Sequence, residues 1–201
     1  MIVTGELKEG EKVPVTALAA EFDVSLTPLR EALKVLAEEQ LLELTPNRGA
    51  RVVPVTIQET RSLFEVMAGL EGTAAKLAAG RITAEQLASL EDLHTRMRKH
   101  YEAGEKEPYF RLNRAVHDAI VDYAGNSILS HLRSKLAVQS ERLRFISVMD
   151  GALRAQAMQA HEDVIEALRD RDGDRAMAVW SQHLAAACVE CCAVLSERNI
   201  G

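Results

Sequence analysis

Cysteines and long apolar runs are scarce in this sequence, and each absence narrows the class of protein. No uninterrupted apolar run reaches about 18 residues, so we expect no membrane-spanning helix. The first residues lack the charged and apolar regions of a secretory signal peptide. All three cysteines lie between Cys188 and Cys192, which is not the spaced framework of a disulfide-bonded secreted protein. The sequence therefore predicts a cytoplasmic protein.

Positive charge is also scarce. The formal net charge is −6 at pH 7, and residues 1–56 hold six Lys or Arg against nine Asp or Glu. Neutralisation of phosphates supplies most of the affinity of non-specific DNA binding. The sequence therefore argues against strong non-specific binding to nucleic acid, although a few well-placed basic groups still allow binding to one specific site.

Aromatic residues make up only 4% of the 201 residues, while Ala and Leu are abundant, and this composition favours helices. After residue 56 the sequence alternates between helix starts and breaks, with capping boxes at Thr56 and Thr83. In the first of these helices we expect an inward face made of Leu63, Val66, Leu70 and Ala74. Six helices with short connections predict an antiparallel bundle. The predicted helices lie at about residues 57–79, 84–103, 108–123, 127–147, 151–171 and 174–197.

Two helical segments, at residues 15–22 and 25–36, lie near the N-terminus. In the second segment Ser25 and Thr27 are candidates for the N-cap, and Pro28 suits the first turn because its missing N–H needs no partner there. The apolar face of this segment consists of Leu29, Leu33 and Leu36. The two segments therefore predict a pair of helices joined by a short turn.

Arg30 and Lys34 share a face next to this apolar face and are free to reach outward. Two β-rich runs follow, at residues 40–44 and 51–55, and a turn containing Pro-Asn-Arg-Gly joins them. Helix, turn, helix and hairpin make a winged helix-turn-helix. Such a domain places its second helix in the major groove of DNA.

Several stretches carry a resemblance to a known family. The segment LAAEFDVSLTPLREALKVLAEEQLLELTPNRGARVVPVT is similar to the DNA-binding domain of the GntR family of bacterial transcription regulators, and the resemblance covers residues 1–56. The segments FEVMAGLEGTAAKLAA, LNRAVHDAIVDYAGNSIL and HEDVIEALRDRDGDRAMAVWSQHL resemble the FCD ligand-binding domain, which defines the FadR-like branch of that family. The resemblance implies a mainly α protein. Its winged helix-turn-helix at 1–56 has a truncated first helix, and an antiparallel all-α bundle follows at 57–201.

The resemblance further implies a homodimer that binds a two-fold symmetric DNA operator. Arg30 is the best candidate to read a base, through guanine O6 and N7, and Arg48 and Gly49 at the wing tip approach the minor groove. The family usually has Arg at the position of Leu26, where a leucine makes only apolar contacts. The residues expected to contact DNA are Ser25, Thr27, Arg30, Lys34, Arg48 and Gly49.

Three histidines and one asparagine are candidates for a metal site. Asn113 and His117 are four residues apart, so one helix presents both on one face, and His161 and His183 lie on two later helices. The spacing matches no zinc motif, and histidines satisfied within the core are the alternative. The FCD resemblance implies a divalent metal at these four positions, with Asn113 where the family has Asp. Three imidazoles suit zinc or nickel, whereas a neutral amide is a weaker ligand than a carboxylate.

Effectors in this branch of the family are usually small metabolic carboxylates, and the resemblance implies one here. Arg142 and Arg144 are candidates to pair with such an anion, with a solvated helix face as the alternative. Many relatives have Arg where Met67 stands, which implies a less anionic effector or a reshaped pocket. The cysteines Cys188, Cys191 and Cys192 could form a thiolate metal or redox site, or they could pack as small hydrophobic side chains. The second interpretation is favoured, because free cysteine usually packs in this way.

Two other function classes remain open. A metabolite- or metal-binding dimer that has lost sequence-specific DNA binding differs from a regulator only in its affinity for an operator. A metal-dependent enzyme needs a general base beside the histidines, and the nearest acids, Asp118 and Glu162, point elsewhere on their helices. An enzyme also leaves the N-terminal domain unexplained. We therefore predict a DNA-binding regulator and not an enzyme.

Overall fold

The computed structural model of the protein describes residues 1–46, 49–150 and 155–198. Within these ranges the chain forms eight helices and one two-stranded sheet. The N-terminal unit consists of α1 (Val15–Glu21), α2 (Leu26–Glu38), β1 (Leu42–Thr45) and β2 (Gly49–Val52). The helices of the bundle are α3 (Ile57–Arg81), α4 (Ala84–Glu102), α5 (Lys106–Tyr123), α6 (Ser127–Asp150), α7 (Ala155–Arg169) and α8 (Gly173–Arg198). A winged helix-turn-helix followed by an all-α bundle confirms the predicted fold class.

The N-terminal unit differs from its prediction in two details. Ser25 has extended backbone before α2, but its side chain makes no capping hydrogen bond. The hairpin pairs Leu42 with Val52 and closes at Gly49. Both strands therefore lie closer to the turn than the predicted runs at 40–44 and 51–55. Pro54 has no N–H to donate, which prevents the second strand from extending as far as residue 55. The core of this unit contains Leu7, Val13, Leu18, Leu33, Leu42, Ala50 and Val52.

Polar caps start the first two helices of the bundle. The capping box predicted at Thr56 is only half formed, because the carboxylate of Glu59 accepts from the hydroxyl of Thr56 at 2.6 Å. The Oγ1 atom of Thr56 accepts a hydrogen bond from the N–H of Glu59 at 3.2 Å. Thr83 and Gln86 exchange both bonds of a complete capping box. Each cap satisfies N–H groups that have no partner within the first turn of a helix. The two caps therefore fix where α3 and α4 begin.

The helices α3 and α8 pack closely along the centre of the bundle. A Cβ atom placed on Gly72 of α3 would lie only 2.0 Å from Oγ of Ser181 on α8. This contact between small residues brings the neighbouring Glu71 and Trp180 together in the core, where both are fully buried. The prediction that Val66 of α3 faces inward is wrong, because its side chain is 53% exposed. The buried face of α3 is centred on the row Phe64, Met67, Glu71, Ala75 and Ala78, one step around the helix from Val66.

Within the described residues, α8 is the one helix long and apolar enough by composition to cross a membrane. The core helix of a bundle passes the same test, and α8 contributes Trp180 and Leu184 to the core here. The prediction that the three cysteines of α8 are small packing side chains is confirmed only in part. Cys191 is buried, and burial raises the pKa of its thiol to about 12, whereas Cys188 and Cys192 are half-buried.

Candidate functional site

The bundle brings three of the predicted metal-binding residues together. His117 comes from α5, His161 from α7 and His183 from α8, and one ring nitrogen of each lies within 4.8 Å of those of the other two. His117 and His161 are fully buried, and His183 is 8% exposed. The fourth predicted residue, Asn113, is also buried and lies one turn before His117 on α5. Three separate helices therefore converge on one buried group of imidazoles.

A buried carboxylate that was not predicted from the sequence holds the first of these histidines. Oε2 of Glu71 lies 2.5 Å from Nδ1 of His117, and the indole N–H of Trp180 donates to the same oxygen at 3.2 Å. Nε of Arg133 donates to the other oxygen at 3.2 Å. Trp180 and Arg133 can only donate, so the carboxylate serves as their acceptor and fixes the proton of His117 on Nδ1. The lone pair of His117 Nε2 is then free.

Burial keeps the three imidazoles neutral. Loss of solvent is the largest cause of the lowered pKa of each ring, and it lowers the pKa of His183 to about 4. The pKa values of His117 and His161 fall well below 6.5, chiefly through burial and then through nearby positive charge. Neutral imidazole is the form that binds metal ions. The site is therefore ready to bind a cation at neutral pH without losing protons.

Two nitrogens of the cluster have no hydrogen-bond partner among the described residues. They are Nε2 of His117 and Nδ1 of His161. Leaving a buried polar atom unpaired costs about 1–3 kcal/mol. A metal ion bound to Nε2 of His117 would remove that cost, and the Glu71 carboxylate on the opposite nitrogen is the usual outer partner of a metal-bound histidine. The residues present therefore fit a divalent metal such as zinc or nickel.

A fourth histidine, His94 of α4, lies beside the cluster. Its ring stacks on that of His161 at a centroid distance of 6.1 Å, and it is 4% exposed. Burial lowers its pKa, and its Nε2 has no partner among the described residues. His94 extends the group of neutral rings toward the groove between α4 and α7.

The two candidate effector arginines lie on different sides of α6. Nη2 of Arg144 lies 3.2 Å from Oγ of Ser140 and 3.9 Å from Oε1 of Glu71, and its Nη1 is buried without a described partner. Arg142 instead donates from Nη1 to the carbonyl oxygen of Val53 at 2.8 Å. Neither side chain is solvated, because both are at least nine-tenths buried. The structure brings Arg144, and not Arg142, to the histidines.

The acids that the sequence analysis considered as general bases are engaged elsewhere. Asp118 pairs with Arg133 and Arg114, and Glu162 pairs with Arg98 at 2.7 Å. Glu71 is the carboxylate beside the histidines in the described part of the chain, and it already accepts bonds from three side chains. This arrangement suits binding of a cation more than activation of water.

The predicted DNA-contacting residues of α2 lie on its surface. Ser25, Thr27, Arg30 and Lys34 are all exposed. The Nζ atom of Lys34 pairs with Oε1 of Glu31 at 2.7 Å. Leu26 is 39% exposed at the first residue of the helix, and Gly49 begins β2 with φ of +89°. Arg48 lies outside the described residues, so one predicted contact has no structural account.

Comparison with known proteins identifies the class of the molecule. Residues 62–186 match the FCD domain, and residues 1–52 match the family described as bacterial regulatory proteins, gntR family. The chain belongs to the GntR family. Among its relatives in that family, the Nta operon transcriptional regulator of Aminobacter aminovorans is 31% identical over 92% of this chain and 86% of that protein. The transcriptional repressor RspR of Escherichia coli is 28% identical over 83% of this chain and 73% of that protein.

Solved structures of GntR-family proteins share the fold. McbR/YncC of E. coli has a TM-score of 0.81 at 23% identity, covering 92% of this chain and 88% of that one. A Streptococcus agalactiae GntR protein has a TM-score of 0.56 at 26% identity, covering 93% of each chain. The GntR and FCD matches confirm the resemblance found in the sequence, and they place the chain among DNA-binding transcription regulators, a class without catalytic activity.

Proposed function

We propose that this GntR-family regulator is a cytoplasmic homodimer whose operator binding is controlled by a small carboxylate that docks at a metal ion in the bundle. The observation that carries the proposal is the buried cluster of His117, His161 and His183, with His117 oriented by Glu71. The domain boundary follows residue 56, with the DNA-binding domain before it and the bundle after it.

The metal ion is zinc or nickel, bound by the three imidazoles. Because three ligands leave open positions, a water molecule or an effector oxygen can complete the coordination. Asn113 stands beside His117 on α5, and its amide would bind the metal weakly or hydrogen-bond a metal-bound molecule. A neutral ligand set also leaves the ion with its full double charge, which favours an anionic effector.

Arg144 is the candidate anchor for the effector. The Nη1 atom of Arg144 is buried and has no partner among the described residues. The Nη2 atom of the same side chain already approaches Glu71. A guanidinium pairs well with a carboxylate, in a bidentate geometry when both nitrogens are free. We therefore propose that a hydroxy acid or a related small carboxylate pairs with this guanidinium and binds the metal.

DNA binding is assigned to the exposed face of α2 and to the wing. Arg30 reads a base in the major groove, Thr27 assists it, and Ser25 with the N-terminus of α2 holds a phosphate. Lys34, Arg48 and Gly49 complete the predicted surface. Leu26 reads no hydrogen-bonding group, so apolar contact with a thymine methyl is its available role.

The test combines a metal assay with DNA titration. We expect the purified protein to contain close to one divalent ion per chain, and we expect His117→Ala to lose it. Fluorescence anisotropy with DNA from upstream of its own gene should show tight binding that salt weakens, with random DNA bound much less tightly. Equal and weak binding to every fragment contradicts the operator assignment, and a metal content that is the same in wild type and His117→Ala contradicts the metal site.

A second candidate function is a metabolite- or metal-binding dimer that has lost sequence-specific DNA binding. The exposed Leu26 and the pairing of Lys34 with Glu31 favour it, since both remove polar or positive contacts from α2. Substitution Leu26→Arg separates the two candidates. If the wild type binds no fragment more tightly than random DNA and Leu26→Arg does, the result supports the second function.

A further inference from the structure

Two arginines of α6 point in opposite directions and contact different parts of the protein. Arg142 and Arg144 are two residues apart, which separates their directions by about 200° around the helix. Arg144 approaches Glu71 beside the histidines, and Arg142 donates to the carbonyl of Val53, between β2 and α3. The helix therefore contacts the candidate metal site with one face and the DNA-binding unit with the other.

The face of α6 toward the histidines is built from three side chains. Arg133 donates to Oε1 of Glu71 at 3.2 Å, and Arg144 lies 3.9 Å from the same oxygen. Ser140, fully buried, sits 3.2 Å from Arg144. Because Glu71 also holds His117, any change at the histidines that moves this carboxylate reaches α6 directly.

The opposite face of α6 makes a set of contacts that we call the interdomain latch. Gln139 donates from Nε2 to the carbonyl oxygen of Glu39, at the end of α2, at 2.9 Å. Arg142 donates to Val53 at 2.8 Å and pairs with Oε1 of Glu9 at 3.4 Å. The other oxygen of Glu9 accepts from the N–H of Val55 at 3.2 Å. The latch thus consists of Glu9, Gln139 and Arg142, bound to the backbone of Glu39, Val53 and Val55.

The latch fixes the orientation of the DNA-binding unit. It ties three separate parts of residues 1–56 to one helix: the N-terminal segment, the end of α2 and the connection that follows β2. Arg142 is only 5% exposed, so its bonds form away from most of the solvent, where loss of one partner is costly. These bonds therefore add to the short chain connection 53–56 in orienting the unit.

We propose that Gln139 and Arg142 are positioning residues of the regulator, and that α6 transmits occupancy of the histidine site to the winged helix-turn-helix through the interdomain latch. The inference rests on the proposed metal site. A ligand changes the DNA-binding unit only if it binds two arrangements of the protein unequally. Metal binding ties α5, α7 and α8 together and stabilises the arrangement in which Glu71, Arg133 and Arg144 hold α6 in place. While the latch is intact, that stabilisation extends to residues 1–56.

The test uses hydrogen exchange of the full chain, with Ni²⁺ as the probe. Trp180 is the single tryptophan, and its ring centroid lies 4.5 Å from that of His117, so quenching of its fluorescence reports metal at the histidines. In the chelator-treated wild type, Ni²⁺ should quench Trp180 and slow exchange both in the bundle and, by at least about fivefold, at protected amides of residues 1–56.

Substitution Arg142→Met should keep the same half-saturating concentration for quenching and confine the slowing to the bundle. The control, Lys135→Ala, removes an exposed charge from the same helix and should behave as the wild type does. Arg142→Lys, which keeps a donor and the charge, should restore part of the slowing. If Arg142→Met does not fold, Gln139→Ala tests the same latch, since it removes only the bond to Glu39.

The outcomes separate the two levels of the proposal. Quenching in the wild type with no change in residues 1–56 overturns the latch and leaves the metal site standing. Full slowing of residues 1–56 in Arg142→Met also overturns it. Absence of quenching in the wild type overturns the metal site itself, and the latch as a transmitter falls with it.

Discussion

Glu71 accepts hydrogen bonds from three side chains in the described part of the chain, although it is not one of the residues predicted to bind the metal. Its two oxygens accept from His117, Trp180 and Arg133, and Arg144 lies nearby. Because the carboxylate fixes the tautomer of His117, its role in the proposed metal site is to aim Nε2 at the ion without binding the ion.

Substitution Glu71→Gln should weaken metal binding by about 10- to 100-fold, as loss of an outer partner of a ligating histidine usually does. An amide no longer requires the proton of His117 to be on Nδ1, and it leaves two buried arginines without their shared charge. Competition against a chromophoric chelator measures the change. Glu65→Gln, at an exposed acid of the same helix, is the control and should bind metal as the wild type does. Equal affinities in a folded Glu71→Gln protein exclude the positioning role.

The sequence predicted part of this site. The family resemblance pointed to His117, His161 and His183 because the metal-ligand positions are sequence landmarks, and the three rings do converge. It did not point to Glu71, although an acid on the apolar face of α3, in line with Met67 and Ala75, was a visible signal. Their spacing alone places Arg142 and Arg144 on opposite sides of a helix, but which of them meets Glu71 and which meets Val53 depends on how α6 packs.

The helices were the most predictable elements. The cap at Thr56 and the capping box at Thr83 act through bonds within a single turn, so the sequence alone fixes the starts of α3 and α4. The hairpin was predicted to within a few residues, because its register depends on the turn at Gly49 and on pairing across the strands. Exposure of Val66 depends on which neighbours α3 meets, and no local signal carries that information.

The contact between α3 and α8 makes a prediction at the scale of elements. Substitution Gly72→Ala places a Cβ against Oγ of Ser181, an overpacking that should reduce the free energy of unfolding by about 1–3 kcal/mol. Adding Ser181→Ala removes the clashing oxygen and should recover part of the loss. Urea denaturation followed by circular dichroism measures both.

Gly69 is the matched control on the same helix, since a Cβ there meets nothing within 4 Å. Gly69→Ala should be neutral or stabilising by up to roughly 1 kcal/mol, because alanine is the better helix former. A Gly72→Ala protein as stable as Gly69→Ala would show that the two helices are not in close contact.

At the scale of the whole molecule, a regulator with a net charge of −6 carries its DNA-binding function on a few exposed groups. The acidic surface suppresses non-specific binding, so in the proposed homodimer the orientation of the two α2 helices decides affinity for an operator. Contacts that orient the DNA-binding unit, such as the bonds of Arg142 and Gln139, therefore matter more here than in a strongly basic protein.

The buried histidines make the stability of the whole chelator-treated protein dependent on pH. Their pKa values are lowered in the folded state, to about 4 for His183, while an unfolded chain returns to about 6.5. Below 6.5 the unfolded state therefore binds more protons than the folded state, and stability is lost as the pH falls from 6.5 toward 4. At pH 5 His183 should cost roughly 2 kcal/mol relative to pH 7.5, and His117 and His161 act in the same direction.

Urea unfolding of the chelator-treated protein at pH 7.5 and pH 5 measures this dependence. His183→Gln removes one of the titrating groups, so its loss of stability between the two pH values should be smaller than that of the wild type by about the contribution of one histidine. Exposed His131 provides the control, since His131→Gln should leave the difference unchanged. An identical loss in wild type and His183→Gln would mean that His183 is already protonated or solvated in the folded protein, and a protonated ring cannot bind the proposed metal ion.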